Sequence, residues 1–146
     1  MAAGAALGLP ARADLSSIPR TTLTYPETAA VGLSLQEAQA AGVDAFEVTQ
    51  DFAATSRGQT IEPIRRSADA ILEGTRGHLT AVIDRERGVL AGAFAACPAA
   101  GELIHEAVLA MRLSAPVAVL ADTIHAFPTG ARAFGNLMAE AAKQLQ

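Results

Sequence analysis

No tryptophan occurs in the sequence, and phenylalanine and tyrosine bring the aromatic share to only 4%. A core must therefore be assembled from Ala, Val, Leu and Ile. There is one cysteine, Cys97, so no intrachain disulfide can close. A thiol–disulfide relay is excluded on the same ground, because it needs two sulfurs within bonding reach. A lone thiol fits a reducing, cytoplasmic compartment. Basic runs are missing as well: Lys and Arg number 11 against 15 acids, the net charge is −4, and the densest cluster is Arg65-Arg66. A phosphate backbone requires clustered cations to displace its counterions, so nucleic acid is not an expected partner. No apolar stretch approaches the ~20 residues that span a bilayer, which argues against a membrane. The apolar opening Met1–Pro10 lacks a basic flank and is soon followed by Arg12 and Asp14, unlike a signal peptide. Neither a G-x-G-x-x-G turn after a strand, nor a P-loop, nor a C-x-x-C pair is present.

What is present suits one folded domain. Hydrophobic residues make up 51% of the 146 positions and charged residues 18%, well outside the range of a disordered chain. Residues 1–18 contain a short helix former broken by Gly8 and Pro10, and read as a linker and the remnant of a preceding domain; residues 19–146 read as the domain proper. Arg20–Thr24 is β-rich and stops at Pro26. Ser34 and Glu37 form a capping box that starts a helix running to about Ala41, with Gly42 as its left-handed stop. Phe46–Phe52 alternates as a half-buried strand. Residues 55–67 read as a loop, and Ala68–Leu72 suits a short helix or a strand equally. Leu79–Ile83 and Val89–Ala96 make a hairpin around Gly88. Gly101–Leu113 has the period of an amphipathic helix, Pro116 opens another to about Ala121, and Thr129 caps a last one to about Leu145. Strands and helices are segregated, which predicts an α+β domain: an antiparallel β-sheet with helices packed on one face.

Few residues could carry chemistry. Cys97, just before Pro98, reads as a small buried residue. His78 reads as a surface residue at a strand start. His105 lies near Glu102 and Glu106, which half satisfies a metal geometry, but a solvated helix face explains it better, and no metal site is expected. His125 lies in Thr123-Ile-His-Ala-Phe-Pro-Thr129, between two helices, where a His, an aromatic–Pro step and a helix start could hold a ligand or a partner.

Six blocks, in order, carry a resemblance. Leu23-Thr-Tyr-Pro-Glu-Thr-Ala-Ala-Val-Gly32 resembles the F-T-x-P-E-x-A-x-V-G opening of the dimerisation domain of flavoprotein disulfide reductases, the pyridine nucleotide–disulfide oxidoreductases. That family includes dihydrolipoamide dehydrogenase, glutathione reductase and mercuric reductase. Gly32–Ala38 resembles its G-L-T-E-x-E-A helix start, and Phe52–Arg57 the end of its next strand. Gly77–Asp84 with Gly88–Gly92 is similar to its hairpin. Pro98–Ile104 resembles P-x-A-x-E-L-I at the start of a long helix, and Leu120–Thr129 resembles L-A-x-x-I-H-A-H-P-T. The stretch 59–76 looks longer than usual and is expected to form an extra loop.

The resemblance implies an inactive fragment, with FAD and NAD(P)H held by missing FAD- and NAD(P)-binding domains of a parent chain. It also implies a homodimer in which the loop Ile124–Thr129 reaches the partner subunit's flavin site, with a cis peptide expected at Phe127–Pro128. Site residues carried over in this way are His125, Phe127, Pro128, Thr129 and Arg132; no cofactor-binding residue is expected in this chain. Departures are informative. The family's proton-managing histidine is replaced by Phe127, its orienting glutamate by Arg132, and the hairpin lysine by Thr80. Phe127 cannot carry a proton, so ordinary dithiol chemistry is not expected; relatives with an aromatic there are known among quinone- or dye-reducing members. The alternative is a free-standing small α+β enzyme or binding domain using His125, His105 and nearby carboxylates.

Overall fold

The computed structural model describes residues 2–8, 15–60, 65–67, 70–71 and 77–146. In chain order the elements are α1 (Ala2–Ala6), β1 (Arg20–Thr22), β2 (Thr28–Gly32), α2 (Leu35–Ala40), β3 (Ala45–Asp51), α3 (Ser56–Thr60), β4 (Arg65–Ser67) and β5 (Ala70–Ile71). They continue with β6 (His78–Asp84), β7 (Val89–Ala96), α4 (Ala100–Leu113), α5 (Val117–Asp122) and α6 (Gly130–Gln144).

The hairpin is the centre of the sheet. β6 and β7 pair antiparallel, and their connection turns on Gly88, whose φ of 62° suits a residue without a side chain. Asp84 fixes that turn, its carboxylate accepting from the Arg87 amide at 2.9 Å. β2 adds to β7, β1 to β2, and β3 to the other side of β6, giving the antiparallel order β1-β2-β7-β6-β3.

Alternation decides which face is covered. Leu79, Ala81 and Ile83 of β6, Ala93 and Ala95 of β7, Val31 of β2 and Val48 of β3 are buried against α4 and α6. The helices answer with Ile104, Ala107 and Ala110 from α4, and with Phe134, Leu137, Met138 and Ala141 from α6. The many alanines let helix and sheet approach closely, and Phe52 and Phe134 supply the aromatic bulk of that layer. A smaller cluster lies on the other face, where Ala38 of α2 packs on Ala45 and Val82. The α+β class, with the large helices on one face of an antiparallel sheet, is therefore what the segregated pattern predicted.

Several elements differ from expectation. β1 ends at Thr22, and a strand, β2, follows Pro26 where none was anticipated; Thr-Ala-Ala-Val-Gly lacks the β-branched density that marks a strand and is recruited by pairing with β7. The expected loop 55–67 contains α3 and β4. α3 is nucleated by Thr55, whose hydroxyl donates to the Phe52 carbonyl at 2.6 Å and accepts from the Gly58 amide at 3.0 Å. In the ambiguous stretch Ala68–Leu72, β5 occupies Ala70–Ile71 and the rest lies outside the described residues, as do 61–64 and 72–76 of the expected extra loop. Of residues 1–18, positions 1 and 9–14 also lie outside them.

Candidate functional site

Side chains alternate in direction along the connection from α5 to α6. Thr123 closes α5, its hydroxyl donating to the Val119 carbonyl at 2.8 Å. Ile124 then points to solvent at 95% exposure, His125 turns inward, and Phe127 points out again at 71% exposure. The Phe127–Pro128 peptide is cis, as is Tyr25–Pro26. Thr129 ends the loop as the cap of α6: its hydroxyl donates to the Ala126 carbonyl at 2.6 Å and accepts from the Arg132 amide at 3.1 Å. The sequence therefore brings His125, Phe127, Pro128, Thr129 and Arg132 into one loop and the first turn of one helix.

His125 is the most constrained of these. Its side chain is only 6% exposed, and Nε2 lies 2.8 Å from the Glu106 carboxylate on α4. Nε2–H donates in that contact, which leaves Nδ1 buried without a partner. The ring abuts Gly135 of α6, where a Cβ would stand 2.6 Å from Nδ1 and 2.8 Å from Cε1. The imidazole thus ties three elements together and faces away from the surface that Phe127 presents. Glu106, read earlier as a neighbour of His105, is instead the partner of His125. Its place in the sequence held a clue, since Glu106 flanks the stripe of Leu103, Ala107 and Ala110 on α4. His105 itself is exposed.

A groove of about 150 Å³ opens beside the loop, between it and α3. Arg57 and Arg132 line it together with Ser56, Phe127, Pro128 and Asn136. Sequence reasoning missed Arg57 as a neighbour of the loop, because α3 was read as irregular. A larger groove, about 740 Å³, separates Leu15–Ile18 from the sheet end near Arg87, and there Asp84 is already committed to the turn.

Other candidates are inert. Cys97 is fully buried, and burial, helped by the nearby Glu27 carboxylate, pushes its thiol up to about 11. Thiolate is then scarce at neutral pH. Among the described residues no group of three or more His, Cys, Asp or Glu could hold a metal ion. At α2 the Ser34 and Glu37 amides are occupied by the capping box, and at α4 the Gly101 amide donates to Glu27 at 3.0 Å. Among the described residues no helix is long and apolar enough to cross a membrane.

Comparison with known proteins decides the family. Residues 18–138 match the sequence model of the pyridine nucleotide-disulphide oxidoreductase dimerisation domain. The chain belongs to that family. It is 38% identical over 112 residues to dihydrolipoyl dehydrogenase of Thermus scotoductus, covering 77% of this chain and 22% of that protein. It is 34% identical over 143 residues to dihydrolipoyl dehydrogenase of Geobacillus stearothermophilus, covering 98% of this chain and 27% of that protein. This dimerisation domain therefore spans 22% and 27% of those two relatives' lengths. Its fold matches the HOCl-induced flavoprotein disulfide reductase RclA from Escherichia coli with a TM-score of 0.80 at 24% identity, over 94% of this chain and 30% of that one. LpdA from Mycobacterium tuberculosis matches at a TM-score of 0.73 and 25% identity, over 99% of this chain and 28% of that one.

Proposed function

We propose that this chain is the dimerisation domain of an FAD-dependent NAD(P)H oxidoreductase and is inactive by itself. It pairs with a second copy and presents Ile124–Thr129 to the partner subunit's flavin site. Residues 19–146 form the domain, residues 1–18 are the tail of a preceding FAD-binding domain, and FAD and NAD(P)H are held by parts of the parent outside this chain. When bound, the flavin supplies electron and hydride transfer. The parent works in the cytoplasm, where the buried thiol stays reduced.

One observation carries this reading: the loop exposes Phe127 while its imidazole is turned inward and held by Glu106. An aromatic ring moves no proton, and Arg132 stands where the resemblance puts the carboxylate that orients a base. Reduction at this loop therefore proceeds without dithiol acid–base catalysis. Exposed Leu109 and Leu113, one turn apart on α4, with Val119 on α5, offer the kind of apolar surface that an isologous contact covers.

Sedimentation of the purified chain tests the pairing. A dimer is expected, and Leu109→Glu with Leu113→Glu should shift it to monomer without unfolding. A strictly monomeric wild type at high concentration, or flavin bound stoichiometrically to this chain, sinks the reading. In the full-length parent, Phe127→His should leave folding and association intact and fail to establish lipoamide reduction, because Arg132 remains.

A further inference from the structure

The groove beside Phe127 has an uneven chemistry. The Thr55 and Thr129 hydroxyls that border it are consumed by hydrogen bonds within their own turns. The guanidinium groups of Arg57 and Arg132 are exposed, and no described carboxylate pairs with either. Ser56 and Asn136 add a hydroxyl and a side-chain amide. Among the described residues no acid lines this groove, and Glu102 lines the adjoining depression that Arg57 also borders. At about 150 Å³ the space holds roughly five waters at ~30 Å³ each, room for one oxyanion group and no more. Beside it stands the Phe127 ring, 71% exposed, where a flat apolar body could rest.

We propose that this groove binds a small oxyanion carried on a flat, apolar body. Arg57 and Arg132 grip the anionic group, and Phe127 stacks on the flat part. Guanidinium forks suit carboxylate, sulfonate or phosphate oxygens, because their paired N–H groups match the spacing of two oxygens. The face of Phe127 offers stacking without a polar group to satisfy. The inference deepens the proposed function: a loop that has an aromatic and a cation where a base and its carboxylate would stand selects an anionic, planar acceptor. Only that placement rests on the trans-acting reading; binding itself belongs to this chain.

The experiment is a titration of the isotopically labelled 146-residue chain with naphthalene-2-sulfonate, followed by amide chemical shifts, with sedimentation of the same samples. Saturable shifts are expected at Ser56, Arg57, Thr129, Arg132 and the Asn136 side chain. Arg57→Glu with Arg132→Glu should weaken binding by about a hundredfold, and each Arg→Gln change alone by about tenfold. Phe127→Ala should weaken it by about fivefold, and added salt should weaken it further. Sulfate alone and neutral 2-naphthol should each bind much more weakly than the joined molecule. Binding that survives the double charge reversal, that 2-naphthol or sulfate matches, or whose shifts map to α4 and α5 instead, overturns the proposal. Both arginines are exposed, so the Gln variants keep the fold and the test interpretable. A monomer that still binds leaves the groove standing and sinks the pairing; a dimer that does not bind does the reverse.

Discussion

The starts of α2 and α4 meet the same need by different means. Both helices begin with orphan amides. At α2 the answer is local: Ser34 and Glu37, three residues apart, exchange hydrogen bonds at 2.8 and 3.3 Å. At α4 the preceding residue, Ala99, has no side chain to offer and sits in the left-handed region with φ 59°. The Gly101 amide is met instead by Glu27, 74 residues earlier, from the turn between β1 and β2. The α5–α6 loop follows the second pattern, since His125 depends on Glu106 of α4, 19 residues away. A local cap stabilises its own helix. A distant one also fixes how two parts of the fold sit against each other, and its loss should therefore cost more.

That ordering can be tested by chemical denaturation. The largest effect is expected at Glu106→Ala, which strands a buried imidazole and should cost roughly 2–3 kcal/mol. Glu106→Gln, which still accepts from Nε2–H, should recover more than half. A double-mutant cycle with His125→Ala should give a coupling of at least about 1 kcal/mol, and additive losses would mean the contact is only spatial. Next comes Glu27→Ala, about 1.5 kcal/mol, because a charge-assisted cap is removed from the long helix. Ser34→Ala should cost about 1 kcal/mol. If Ser34→Ala proved costlier than Glu27→Ala, the contrast between local and distant caps would collapse.

The same contrast explains what could be read in the sequence. The capping box of α2, the Gly88 hairpin, the stripe Phe134, Leu137, Met138, Ala141 and the Thr129 cap all lie within a few residues of the partners that give them meaning. Each was legible as a local pattern. β2 was not, because alanines become a strand there through pairing with β7. Neither was α3, which rests on one threonine bridging a carbonyl and an amide. In the site, the order of residues from His125 to Arg132 could be read, and so could the absence of a titratable side chain at Phe127. The inward turn of His125 and the approach of Arg57 could not, and for Glu106 the sequence placed it beside the apolar stripe of α4 without naming its partner, because each contact depends on elements that meet only after the sheet is covered.

The smallest effect should come from acid at the local cap. Glu37 is fully exposed, and its carboxyl is held below its ordinary value of 4.5, chiefly by the hydrogen bond from the Ser34 amide and then by the Ser34 hydroxyl. A depressed carboxyl stabilises the fold fully above its unfolded value, and that contribution fades as pH falls through the lower folded one. Wild type should thus lose a little more stability than Glu37→Gln between neutral pH and pH values below 4.5, with the two curves parallel above that range. Because the group is exposed, salt should shrink the difference further. The measurement is the pair of urea midpoints as a function of pH. A wild type no more acid-sensitive than Glu37→Gln would mean that the α2 box holds by its hydroxyl alone, leaving charge-assisted capping in this fold to Glu27.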